Sequence, residues 1–326
     1  MIHVEPVSVP GQQTHQRQVF PLILQCQTAP VDLDTAAAWV AERRQSLLDQ
    51  AAEHGVILFR GFSLANAMDF DRFIEAFGME NFPYEESLSN AVRVNRTPRV
   101  FTANEAPPTV TIFLHHEMAQ TPVYPARLFF FCEKAAEGGG ATPVCRSDVL
   151  WDRLAAAKPE FARNCETKGL KYSNVMPAEN DAASGMGRSW QSTLAATDRA
   201  GAEARLTKLG YSWQWLEDGS LRANTPVLPA VKKLRNGRTS FFNQLIAAAK
   251  GWKDVRNDPS KAITFGDGTP LDRDSVTLAT QLGEELSFDV PWQNGDVALV
   301  DNYVAMHGRR SFTGTRKVLA SLTAME

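Results

Sequence analysis

The chain has 326 residues, with 34 lysines and arginines against 37 aspartates and glutamates, a formal charge of −3 and a pI near 6.1. At 44% hydrophobic and 22% charged it carries enough apolar side chain for a sizeable core and is not compositionally disordered. So even a charge balance leaves no electrostatic footprint for nucleic acid or an anionic membrane, and no apolar run nears the ~18 residues of a membrane span. The start of the chain lacks the charged-then-apolar layout of a signal peptide. Cys26, Cys132, Cys145 and Cys165 form no CxxC pair and read as free thiols of a reducing compartment. A cytoplasmic protein is expected.

In chain order, 34–53 reads as a helix with Asp34 as N-cap, Ala37, Val40, Leu47, Leu48 and Ala51 on one face, and Gly55 as stop. His54, at its C-terminal end, suits the helix dipole. The apolar run 56–59 fits a buried strand, and Ser63 is expected to cap a second helix carrying Phe70, Phe73, Ile74 and Phe77. From residue 91 the character changes: 91–95, 109–116 and 126–133 are rich in β-branched and aromatic residues and separated by turns. A glycine run at 138–140 precedes a short strand, 142–145, and a helix starting at Ser147-Asp148. The segment 155–250 holds a polar loop (172–187), a short helix after Asp198 and a hairpin around Asp218-Gly219, and reads as an insertion. Strand-like sequence resumes at 286–292, 297–307 and 316–325.

This order predicts a mainly β fold with flanking helices, a double-stranded β-helix or jelly roll, whose closed edges remove exposed strand pairing sites. One domain is expected over 1–326: an N-terminal α/β flank at 1–90, first core strands at 91–147, an inserted helical and loop lid at 148–260, and closing strands at 261–326. Doubly wound α/β is the competing architecture. It ranks lower because no strand runs into a GxGxxG or GxxxxGK[ST] turn.

Six histidines lie at positions 3, 15, 54, 115, 116 and 307. In His115-His116-Glu117 the outer two are two residues apart, which on a strand places them on one face. The same spacing at His3-Val4-Glu5 falls in a polar N-terminal arm and reads as incidental. His116 faces the other way and reads as a core histidine. A third ligand must come from elsewhere, and His307, which precedes Gly308, is the candidate. Two imidazoles and one carboxylate on one face form the triad of non-haem Fe(II) enzymes, with positions left open for a chelating co-substrate. A dicarboxylate there would need a cation at its far end: Arg316 could grip it and Thr142 could add a hydroxyl. Taken singly, Arg316 reads as a surface arginine and Thr142 as a turn residue. The same ligands would also serve a mononuclear zinc or manganese cupin, a hydrolase or isomerase with no use for 2-oxoglutarate.

Together these residues, with the segments 102–120, 129–144, 189–198, 240–244, 265–271 and 292–322, resemble the TauD/TfdA-type Fe(II)/2-oxoglutarate-dependent oxygenases, in the clavaminate-synthase-like branch that includes SyrP-like hydroxylases. The resemblance implies that His115, Glu117 and His307 bind iron, and that Thr142 of GGxT and Arg316 hold 2-oxoglutarate. Arg309 and Arg310 are the alternates for that clamp, because the spacing from His307 to Arg316 is short. It further implies O2 and a small-molecule substrate, an amino acid either free or tethered to a carrier protein, oxidised at an unactivated C–H bond with release of succinate and CO2. The retained carboxylate argues against a halogenase, and the lack of a second arginine after Arg316 argues against a sulfonate substrate. Substrate contacts are expected from Asn104, Glu105, Arg188, Asn243 and Gln244, with loop capping as the competing reading of each. Phe113, Phe129 and Phe131 either line the pocket or belong to ordinary core.

Overall fold

Between Arg127 and Lys134, successive side chains point into two different cores, and that alternation sets the architecture. The computed structural model describes residues 2–28, 30–82 and 88–324. A seven-stranded sheet runs in the order Val4–Pro6, Leu22–Cys26, Val56–Arg60, Val297–Asp301, Arg127–Lys134, Lys317–Leu322, Phe101–Thr102. All its pairs are antiparallel except Leu22–Cys26 with Val56–Arg60. A four-stranded antiparallel sheet follows the order Ser287–Val290, Thr142–Arg146, Ala305–Arg309, Ile112–His115.

Leu58, Leu128, Phe130, Ala298, Val300 and Val318 of the larger sheet share one core with Val144, Phe288 and Val290 of the smaller. The intervening residues Ile57, Phe59, Phe129, Phe131, Val297 and Leu299 instead pack with the helices Leu33–His54 and Ala67–Glu75. On the smaller sheet, Leu114, Cys145 and Met306 meet the helices Ser147–Ala157, Leu245–Gly251 and Arg273–Glu285. Phe129 and Phe131, expected as candidate pocket lining, thus belong to the outer core. Phe130, between them, faces inward.

The predicted core strands are present except the run 91–95, with their ends shifted. The 297–307 run is broken at Asn302 into two strands, and the closing strand ends at Leu322 (Met325 lies outside the described residues). The run 91–95 is no regular strand; it forms an irregular ladder in which Val94 O accepts from Thr102 N at 2.9 Å and Val92 O from Glu105 N at 3.3 Å. The first helix is capped two residues earlier than expected: Asp32, not Asp34, is the N-cap, accepting from Thr35 N, while Asp34 adds its charge to the first turn. Asn66, not Ser63, caps the second helix, with Oδ1 accepting from the amides of Met68 and Asp69. Ser63 takes a left-handed φ of 58° and its Oγ accepts from Val31 N. His54 closes the first helix, with Nδ1 2.7 Å from the Val19 carbonyl oxygen.

The insertion has a sheet of its own. Ser212–Trp215 and Leu221–Asn224 form the expected hairpin, preceded by the helix Arg199–Lys208 that Asp198 caps. The start of the expected polar loop is a strand, Leu170–Met176, paired with that hairpin. Ile263–Phe265, expected among the closing core strands, pairs with Leu170–Tyr172 and completes this third sheet. All four cysteines are free and buried. Among the described residues no helix is long and apolar enough to cross a membrane.

Candidate metal centre

His115 and His307 sit directly opposite each other on adjacent antiparallel strands, so strand register alone brings their rings to 4.4 Å between centroids. The ladder shifts register immediately after His307. At Gly308 a Cβ would lie 2.5 Å from the Ile112 carbonyl oxygen and 3.2 Å from Pro143 Cγ, a space only glycine leaves open. Glu117 reaches the same point by a different route from the one alternation predicts. The strand ends at His115, and Glu117 lies in the following turn, where Met118 adopts a left-handed φ of 57°. Asn302 holds that turn: its Oδ1 accepts from Glu117 N at 2.8 Å and its Nδ2 donates to Glu117 O at 3.0 Å and Pro125 O at 2.8 Å. Glu117 Oε2 then stands 3.5 Å from His307 Nε2 and 4.0 Å from His115 Nε2. One donor atom from each residue falls within 4.8 Å of the other two.

The protonation states suit a cation. His115 Nδ1 donates to the Phe113 carbonyl oxygen at 2.8 Å, which leaves the Nε2 lone pair facing Glu117. Burial first, and then neighbouring His307, push the His115 imidazolium down to about 4 against the pull of Glu117. Burial works to raise the Glu117 carboxyl, but the Arg93 guanidinium and the two imidazoles prevail and hold it well below the usual carboxylate range. A neutral imidazole beside an ionised carboxylate is the state a divalent ion requires. His307 Nδ1 is buried with no hydrogen-bond partner among the described residues. His116 has no exposed surface, and its Nδ1 donates to the Asn302 carbonyl oxygen while Nε2 lies 2.8 Å from Ser147 Oγ. Facing away from the triad, it supports the strand from behind.

The triad lines a pocket of about 420 Å³ that Thr142 and Arg316 also line. Arg316 Nε donates to Gly140 O at 2.8 Å and Nη2 to Thr142 Oγ1 at 3.3 Å; no ion pair joins it to a carboxylate among the described residues. Burial, and then Arg309, lower it to about 10. Trp292 Nε1 donates to the same Thr142 oxygen at 3.0 Å. With two donors already on its oxygen, the Thr142 hydroxyl proton is left for an incoming acceptor. The two alternates for the clamp are otherwise engaged. Arg309 donates to the carbonyls of Asn104, Ala106, Pro107 and Val110, tying down the 104–110 loop. Arg310 pairs with Asp289 at 3.0 Å and Glu284 at 2.8 Å.

Of the expected substrate residues, Asn104 and Gln244 line the pocket. Asn104 Nδ2 donates to Gly185 O at 3.3 Å and Gln244 Nε2 to His116 O at 3.0 Å. Glu105 is exposed and outside the lining. Arg188 is a buried strut to Ser89 O and Ser192, and Asn243 joins Ala230 O to Leu245 N, so neither reaches the cavity. Phe113 lines the pocket, as does Phe130, whose ring packs 5.1 Å from that of His307. The insertion contributes a wall through Asp181, Ser184, Met186, Trp252 and Asp254. Sequence reasoning missed Arg93, Asn302 and Trp292. All three lay within segments that drew attention, Arg93 in 91–95, but for strand character or family resemblance and not for these roles.

Residues 18–323 match the family model described as Taurine catabolism dioxygenase TauD, TfdA family. The chain belongs to the TauD/TfdA family. This TauD-like protein is 40% identical over 321 residues to a clavaminate synthase-like protein of Arabidopsis thaliana, covering 96% of each chain. It is 27% identical over 288 residues to the dapdiamide synthesis protein DdaC of Enterobacter agglomerans, covering 83% and 82%. Its fold is similar to that of PvcB from Pseudomonas aeruginosa, with TM-score 0.55 at 15% identity over 100% and 92% of the chains, and to that of an asparagine oxygenase, with TM-score 0.53 at 10% identity over 90% and 83%. Those neighbours agree with the jelly roll described above. The protein is therefore a non-haem iron dioxygenase that uses Fe(II), 2-oxoglutarate, O2 and a small-molecule substrate. Family membership displaces the cupin hydrolase or isomerase reading.

Proposed function

We propose that this dioxygenase oxidises an unactivated C–H bond, by hydroxylation, in an amino acid or an amino-acid-derived small molecule, free or tethered to a carrier protein. The observation that carries the reading is the convergence of His115, Glu117 and His307 in one pocket with an arginine, Arg316, that has no carboxylate partner among the described residues. The names of two similar proteins, a dapdiamide synthesis protein and an asparagine oxygenase, support an amino-acid-related substrate.

On this reading His115, Glu117 and His307 hold the iron, and Arg316 with Thr142 takes the distal carboxylate of 2-oxoglutarate as a charge-assisted pair. Bound iron supplies O2 activation and, with 2-oxoglutarate converted to succinate and CO2, the oxidation of the substrate C–H. The chain's own part is to orient and to keep water out. Phe113 and Phe130 give the cavity apolar surface near the triad, and Asn104 and Gln244 offer amide groups to a polar substrate. The wall formed by 181–186 and 252–255 is the lid of this proposal, moving to admit substrate and closing over it. One domain spanning the chain is part of this reading, supported by strands from both ends sharing the larger sheet.

The test is succinate release from 2-oxoglutarate and Fe(II) across a panel of amino acids and their carrier-protein thioesters. Release stimulated well above the substrate-free background by one member supports the reading. Stimulation only by sulfonates or aryloxyacetates would replace it.

A further inference from the structure

Arg93 lies in the irregular segment 91–95, outside the segments that carry the family resemblance. Its Nη2 stands 3.0 Å from Glu117 Oε1, and the two side chains are 7% and 5% exposed. The guanidinium carbon rests 5.2 Å over the Phe101 ring, which fixes the plane of the fork, and Nε is buried with no hydrogen-bond partner among the described residues. The geometry divides the carboxylate: Oε1 belongs to Arg93, whereas Oε2 is the oxygen facing His307 and His115.

A carboxylate with both oxygens free often chelates a dication through both. Here a charge-assisted bond between two buried side chains competes for one of them. We infer that Arg93 is a positioning residue that makes Glu117 a one-oxygen ligand, so that the ion keeps the positions needed by 2-oxoglutarate and O2. This rests on the reading of His115, Glu117 and His307 as the iron ligands. The segment bearing Arg93 is pinned by the Thr102–Val94 and Glu105–Val92 backbone bonds, so the guanidinium is held from outside the triad's own strands. An ion with six positions and three protein donors retains three water ligands, and two-oxygen binding by Glu117 leaves two.

The experiment loads the full-length protein with Mn(II) and counts exchangeable waters by proton relaxivity. Wild-type protein binding one Mn(II), with binding lost in His307→Ala, establishes the ligand reading; equal binding by both breaks that reading and leaves no basis for Arg93. Given the ligands, wild-type protein is expected to show three waters. Arg93→Met is expected to lose about a third of the relaxivity with circular dichroism unchanged, and Arg93→Gln, which keeps a donor without the charge, is expected to retain it. Two waters in the wild-type protein overturn the proposal without recourse to any variant. So does Arg93→Met with wild-type relaxivity and affinity.

Discussion

Asn302 grips the backbone of Glu117 from both sides, accepting from its amide at 2.8 Å and donating to its carbonyl at 3.0 Å. The bond pair replaces what a strand ladder would have supplied, since Glu117 sits two residues beyond the end of the strand. Asn302→Ala removes the brace and leaves a buried amide and carbonyl unpaired. Metal affinity is expected to fall roughly 10- to 100-fold, as for other groups that orient a ligand. Isothermal titration with Mn(II) reads it; Asn302→Asp, which keeps the acceptor but not the donor, should fall between.

Arg316→Ala is expected to raise the half-saturating 2-oxoglutarate concentration roughly 10- to 100-fold, the worth of a hydrogen bond to a charged group, with little change in Mn(II) affinity. Arg310→Ala, which loses only pairs to Asp289 and Glu284, should leave that concentration unchanged. A reversal of the two results moves the clamp. Trp292→Phe frees Thr142 Oγ1 from one donor and should weaken 2-oxoglutarate binding severalfold.

His116 gives the fold an acid limit. It is buried with its imidazolium pushed down to about 3, burial outweighing the Asn302 carbonyl, against about 6.5 in the unfolded chain. A depressed folded value means that the unfolded chain binds more protons as pH falls below ~6.5, so this group's stability is present above that pH and is lost towards 3. The metal-free protein should therefore lose on the order of 2 kcal/mol between pH 6.5 and 4.5 from this one imidazole. Urea midpoints across that range measure the loss; a flat profile would sink the assignment.

Gly308→Ala would press a methyl group against the Ile112 carbonyl oxygen, 2.5 Å from the new Cβ. Parting the two strands that carry His307 and His115 should cost on the order of 1–3 kcal/mol and weaken metal binding with it. Thermal melts with and without Mn(II) separate the two effects.

The jelly roll was legible because its strands alternate or run apolar between turns, and strand period is a local property. His115 and His307 were legible for the same reason: each lies in such a run. The route by which Glu117 reaches them was not, since a turn and a strand both bring residues i and i+2 together over so short a span. Arg93 carries no local signal at all; its role comes from a long-range approach that only folding brings about. Phe129 and Phe131, open between pocket and core, prove to be core, and the ring facing the pocket, Phe130, lies a single step of phase away. Helix starts at Asp32 and Asn66 were missed because Asp34 and Ser63 are equally good capping residues by type, and only backbone geometry chooses between them.

The strand Arg127–Lys134 serves two tenants at once, the helices on one side and the pocket of His115, Glu117 and His307 on the other. Adding or deleting one residue within it would swap them, turning Phe129 and Phe131 towards His307 and Phe130 out beneath the helices. Evolution is therefore free to lengthen the 177–188 segment while the length of this strand stays frozen. New specificities in such a protein should arise by loop grafting, with the chemistry left untouched behind them.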